Sequence, residues 1–166
     1  MRGKTMRYLT LSVLVVSASM SLIISPSLHA ADPDTQGVQA ALTAYHEALN
    51  KLFTGDAAPM KTVWSHADDV TYMGPAGGML HGWPQVEQYW DRQAAKKLLG
   101  KVDPEKAHVF AGQTLAVVCY HEHGEHVFDG KPQPVSIRAT TTFRKEDGQW
   151  KVIGHHTDTL AEYLKK

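Results

Sequence analysis

From Gly100 onward the chain reads as four long extended segments, residues 102–110, 115–127, 135–145 and 149–158, parted by turn signals at Gly112, Asp129-Gly130 and Asp147-Gly148. The turn glycines 112, 130 and 148 stand eighteen residues apart, so neighbouring strands can be long and similar in length. Strands joined by tight turns pair antiparallel, and a sheet of that kind needs at least one face covered. What precedes it supplies the cover. Val38, Leu42, Tyr45, Leu49 and Leu52 recur at steps of four, three, four and three, the period of an amphipathic helix, which Gly55 stops. Pro59 opens a short second helix burying Met60, Val63 and Trp64. Trp83-Pro84 opens a third, with Glu87 near its positive end, Lys96 and Lys97 near its negative end and Gly100 as its cap. Residues 69–73 form a short strand and residues 79–81 its candidate partner, joined by a loop in which Gly74, Gly77 and Gly78 permit backbone angles closed to other residues. Helices first and a meander last predict an α+β domain, its helices to one side of a strongly bent antiparallel sheet.

The first thirty residues stand apart from this pattern. Arg2, Lys4 and Arg7 precede an apolar stretch over residues 9–24, and Leu28-His29-Ala30 supplies small residues for cleavage. Residues 1–30 therefore read as a signal peptide rather than an anchor, since the apolar run falls short of the roughly 20 residues that a span requires. Export is expected, to the periplasm or the medium, with no membrane association after cleavage. Cleavage leaves 136 of the 166 residues and fourteen cations against seventeen carboxylates, a net charge of −3 with His neutral. That is one domain with chain enough for a core, and it has no electrostatic footprint for nucleic acid. Residues 31–37 are expected to be a disordered leader and residues 161–166 a tail. Cys119 is the only cysteine, which excludes an intrachain disulfide. Set in the apolar run 115–120, it reads as a buried filler.

Four segments, in order, resemble the SnoaL-like branch of the nuclear transport factor 2-like superfamily, the ketosteroid isomerase-like fold. They are Ser65-His66-Ala67-Asp68-Asp69-Val70-Thr71-Tyr72-Met73-Gly74-Pro75, then Gly82-Trp83 opening a helix, then Arg138-Ala139-Thr140-Thr141-Thr142-Phe143-Arg144-Lys145, and Asp147-Gly148-Gln149-Trp150-Lys151-Val152-Ile153-Gly154-His155-His156. The resemblance spans residues 38–160. It implies a cone-shaped, strongly bent antiparallel sheet whose N-terminal helices close a pocket, often in a homodimer packed through the sheet. It implies little about activity. Aligning the Ala-Asp-Asp run of ketosteroid isomerase on Ala67-Asp68-Asp69 puts Gly74 where that enzyme has its general base, and glycine moves no proton. Steroid isomerisation is therefore not expected.

Side-chain alternation along the last strand groups Trp150, Val152, Gly154, His156 and Asp158 on one face, and the resemblance turns that set towards the cone. His156 is then the candidate for an imidazole that titrates near neutrality, with Asp158 to orient it. Arg138 and Thr140 share a face of the preceding strand. Arg138 could hold a ligand carboxylate, or it could pair with Asp158 or Glu122. Trp64, Tyr72, Trp83 and Trp90 are candidates for pocket wall, and equally for core. His121, His123 and Glu125 share one strand face at a metal-ligand spacing, but one strand supplies no further convergent ligand, so no metal and no cofactor is expected. The sequence thus predicts an exported homodimeric domain that binds a small organic molecule, without an identified reaction. One alternative is an isomerase, cyclase or dehydratase using His156 and Asp158 as its acid-base pair. Another is a dimeric interaction module with a plugged cone.

Overall fold

The computed structural model describes residues 34–128 and 130–159. The expected signal peptide and C-terminal tail lie outside the described residues. Helix α1 spans Thr35–Phe53, α2 Ala58–Val63 and α3 Trp83–Ala95; the strands are β1 Thr71–Met73, β2 Leu80–His81, β3 Lys101–Ala111, β4 Leu115–Phe128, β5 Lys131–Glu146 and β6 Gln149–Thr159. They form one six-stranded sheet, ordered β2-β1-β6-β5-β4-β3, curled but not closed. The expected α+β class holds, with one qualification. All neighbours pair antiparallel except β1 and β6, which run parallel with Thr71 opposite Gly154. The sheet is therefore mixed.

The four extended segments become β3 to β6. The β5–β6 turn has positive φ at both Asp147 and Gly148 (49° and 79°), the conformation whose twist suits a two-residue hairpin. Two expected boundaries move. Helix α1 begins at Thr35, inside the expected disordered leader, because the Asp34 carboxylate accepts a hydrogen bond from the Gly37 amide at 2.9 Å. Lys145 Nζ at 2.7 Å and Trp150 Nε1 at 3.0 Å also reach Asp34, so the helix start is tied to the sheet. Helix α3 ends at Ala95 with Lys96 as its C-cap, which leaves Gly100 with a different task. Its φ is +80° and a Cβ there would lie 2.1 Å from Glu125 O, so it lets β3 enter the sheet.

The helices cover the face that carries Ala116, Val118, Tyr120, Ala139, Phe143 and Val152, and α1 contributes Val38, Leu42, Tyr45, Leu49 and Leu52 at the helical period expected. Asn50 fixes α1 to the sheet edge, donating through Nδ2 to Val102 O (3.0 Å) and accepting from Val102 N–H at Oδ1 (2.9 Å). Cys119 departs from expectation. It is half-buried on the opposite face, its Sγ 3.8 Å from Thr140 Oγ1, because the core-facing positions of β4 are the even ones.

Candidate functional site

Ala116, Val118, Tyr120 and Glu122 alternate along β4 and point inward. The alternation that buries three core residues thus carries a carboxylate into the interior, where Glu122 is 4% exposed. An isolated carboxylate there would be costly. Two imidazoles and a phenol meet it on one oxygen: His46 Nε2 lies 3.3 Å from Oε1, Tyr120 Oη 3.5 Å and His155 Nε2 3.8 Å. Burial pushes the Glu122 carboxyl up, but the His46 contact, the field of both imidazoles and the Tyr120 hydrogen bond outweigh it and hold the group below its ordinary value.

His46 stands on α1 with Nδ1 3.0 Å from Leu42 O. A carbonyl only accepts, so Nδ1 bears a hydrogen. A neutral His46 would then turn a bare nitrogen towards a carboxylate, two acceptors face to face. His46 Nε2 is thus the atom turned towards the carboxylate, 3.3 Å away, without making a hydrogen bond to it. His155 is joined to the same group by a second route, since Thr141 Oγ1 lies 2.9 Å from His155 Nδ1 and 2.8 Å from Tyr120 Oη. Burial holds the His155 imidazole down to about 4, which leaves the ring neutral at neutral pH. Tyr72 stacks on it at 5.8 Å and an 11° angle, and Tyr45 packs 5.1 Å away.

Of this group, Glu122, His155, Tyr45 and Tyr72 line a cavity of about 650 Å³ between the helices and the sheet. Tyr45, Tyr72, Tyr89 and Trp90 provide aromatic walls, and Glu122, His155 and Thr157 form the buried end. Ala76, Lys96 and Gln133 form an exposed rim. The hydroxyls of Tyr72 and Tyr89 meet at 3.2 Å. The Tyr120 hydrogen bond and the closest approach of both imidazoles fall on Oε1, and among the described residues no hydrogen bond reaches Oε2. At Gly74 an added Cβ would lie 2.7 Å from Tyr72 Oη, so a side chain at the position aligned with the isomerase base would displace the Tyr72 phenol.

Of the residues singled out in the sequence, Tyr72 and Trp90 line this cavity. Trp64 is buried against Trp90 and Tyr72, and Trp83 stacks on His66 at 4.2 Å, so both belong to the core. The placement of His156 and Asp158 in the cone is corrected. Pairing shifts between Thr142 opposite Gly154 and Phe143 opposite Val152, leaving Ile153 as an extra residue in β6. A bulge of this kind reverses the alternation beyond it. His155 and Thr157 consequently face inward, and His156 is exposed on the outer face. Arg138 and Thr140 lie there too, beside His156 and Asp158 in an open depression of about 450 Å³. Arg138 spends its charge on Asp158, donating from Nε at 3.0 Å and also from Nη2. His123 lies 3.9 Å from Glu105, and among the described residues no three His, Cys, Asp or Glu side chains converge as a metal centre.

The residues missed were Glu122, His46, His155 and Thr141. Alternation along β4 was enough to find Glu122, since Ala116, Val118 and Tyr120 share its parity. His46 adjoins the α1 stripe beside Tyr45. The bulge had no such signal.

A curled sheet with helices closing an inner cavity is the architecture of the nuclear transport factor 2-like superfamily. Within it, the chain belongs to the SnoaL-like domain family, whose model matches residues 38–160. Similar solved structures include a Streptomyces avermitilis protein of the nuclear transport factor 2-like family with a provisional dehydratase assignment. It is 24% identical, with 76% of this chain and 96% of that one covered and a TM-score of 0.69. A superfamily protein from Salmonella enterica serovar Typhimurium is 16% identical over 75% and 89% of the two chains, with a TM-score of 0.66. The CaMKII hub of S. rosetta is 19% identical over 76% and 97%, with a TM-score of 0.61. No curated protein matches the chain significantly.

Proposed function

We propose that this protein binds a small organic molecule in the cone, through a ligand O–H or N–H donated to Glu122 Oε2. The observation that carries this reading is a nine-tenths buried carboxylate that lines a cavity with one oxygen that no hydrogen bond reaches among the described residues. That oxygen is not itself among the fully buried unpartnered atoms, so it opens on the cavity, where a ligand donor can reach it. The carboxylate of Glu122 and the imidazole of His155, which both line the cavity 3.8 Å apart, support a second reading, acid-base catalysis in the cone with Glu122 as proton acceptor. The provisional dehydratase assignment of the Streptomyces avermitilis protein accords with it. Export rests on Arg2, Lys4, Arg7 and the apolar run that follows, and a homodimer is consistent with the hub domains among the structural relatives.

The test uses 2-naphthol, a planar apolar probe with one hydroxyl, titrated calorimetrically. Glu122→Gln should weaken it roughly tenfold or more, the loss expected for one hydrogen bond to a charged acceptor. His156→Ala, on the outer face, should leave affinity unchanged. Equal losses in both variants, or no binding to the wild-type protein, would refute the reading.

A further inference from the structure

We infer that the natural ligand of the cone is a planar hydroxy acid, bound with its hydroxyl at Glu122 and its carboxylate at the rim beside Lys96. The inference rests on the reading of the cone as a binding site. Its ground is the distribution of charge along the cavity. Of the residues that line it, only Glu122, Lys96, His126 and His155 are ionisable within the ordinary range of pH 4 to 11 apart from tyrosines. Burial lowers both histidines, His155 to about 4, so the lining carries one negative group and one positive group at neutral pH.

They lie at opposite depths. Glu122 is buried at the inner end, whereas Lys96 is exposed just beyond the last turn of α3. Lys96 has no carboxylate partner among the described residues, unlike Lys61, which is held by Glu87 and Asp91. Gln93 and Gln133 stand on the same lining and offer amide N–H groups. A lone cation flanked by amides suits a monoanionic carboxylate; a phosphate dianion would call for a second cation. Between the two ends the walls are aromatic, which favours a flat body, and about 650 Å³ accommodates a drug-sized one. A ligand that met only the inner end would leave the rim unused, and a simple acid would leave Glu122 Oε2 without a donor.

Three probes separate these contributions: 2-naphthol, 2-naphthoate and 6-hydroxy-2-naphthoate, titrated against the protein at low and high salt. The hydroxy acid should bind about three- to fivefold tighter than 2-naphthol, the range of an exposed charge pair, and 0.5 M salt, about the ionic strength where screening becomes short-ranged, should erode that advantage. Lys96→Ala, an exposed site without consequence for the core, should abolish the advantage and leave 2-naphthol affinity unchanged. Glu122→Gln should abolish the advantage of the hydroxy acid over 2-naphthoate. If 2-naphthol binds but the carboxylate adds nothing, or its gain survives Lys96→Ala, this inference falls and the binding reading stands. If 2-naphthol does not bind, both fall.

Discussion

His46→Leu tests the buried network most directly. His46 Nε2 at 3.3 Å is the nearest group to the Glu122 carboxylate, and both side chains are almost fully buried. Leucine fills the space without an imidazole. Removing the nearest partner of a buried carboxylate leaves its charge uncompensated and costs about 3 to 5 kcal/mol, which for a domain of this size lowers Tm by about 10 °C or more. The loss should depend on pH in a definite sense. In the native protein Glu122 is held below its ordinary value, so it contributes stability above the unfolded-state value and loses it as pH falls through the folded one. Without His46 the largest remaining influence is burial, which raises the folded value. The variant then has its Glu122 contribution at low pH and loses it as pH rises. The gap between the two proteins should be small near pH 4 and full near pH 7, values that bracket the carboxyl transition. Urea unfolding followed by tryptophan fluorescence across that interval measures it. The double variant His46→Leu/Glu122→Leu should regain most of the loss, since an apolar pair of similar volume is neutral or better. A gap below about 1 kcal/mol at pH 7, the size of an exposed pair, or one that does not vary with pH, would refute the argument.

Four further outcomes are expected, three from the structure and the last from the sequence of residues 1–30. Because the folded His155 value lies at about 4, against an ordinary 6.5, its contribution should be complete above the higher value and decline as pH falls towards the lower one; His155→Gln should flatten that part of the stability profile in urea titrations. Asn50→Ala removes both bonds to Val102 and should cost about 1 to 3 kcal/mol, with faster amide exchange at Val102; unaltered exchange would mean that the clip is incidental. Phe110 and Leu115 expose 64% and 50% of their surface near one end of the sheet, and light scattering after gel filtration should give a dimer mass, a monomer at tens of micromolar counting against it. Intact mass of the exported product should correspond to a chain that begins at Ala31, whereas a membrane-bound species retaining residues 1–30 would mark that segment as an anchor.

Much of the fold was legible because its signals are local. The α1 stripe, the prolines at Pro59 and Pro84 and the hairpin at Asp147-Gly148 each act within a few residues, and each became the element expected. The parallel pairing of β1 with β6 was not legible, since β1 is three residues long and its partner lies at the far end of the chain. The site was legible on β4 but misread on β6. One extra residue at Ile153 exchanges the faces of His155 and His156, and nothing in Val152-Ile153-Gly154 distinguishes a bulged strand from a regular one. Arg138 could have paired with Asp158 or Glu122; the choice was made by β5–β6 register, which sets Arg138 opposite Asp158.

The parallel pairing of β1 also governs when the domain can become complete. A ribosome delivers the chain from its N-terminus, so α1 and Trp64 emerge long before the strand that finishes their enclosure. Trp64 bridges to Val152, and β1 finds its sheet partner between Gly154 and His156. Until that segment is available, the apolar stripe of α1 and the short β1–β2 hairpin have no finished sheet to rest on. Folding must then wait for contacts between distant parts of the sequence, the circumstance that slows it and exposes apolar surface meanwhile. A chain that stopped at the β5–β6 turn would lose only its last strand and the few residues after it, yet it would strip β1 and β2 of their attachment and open the inner wall at His155.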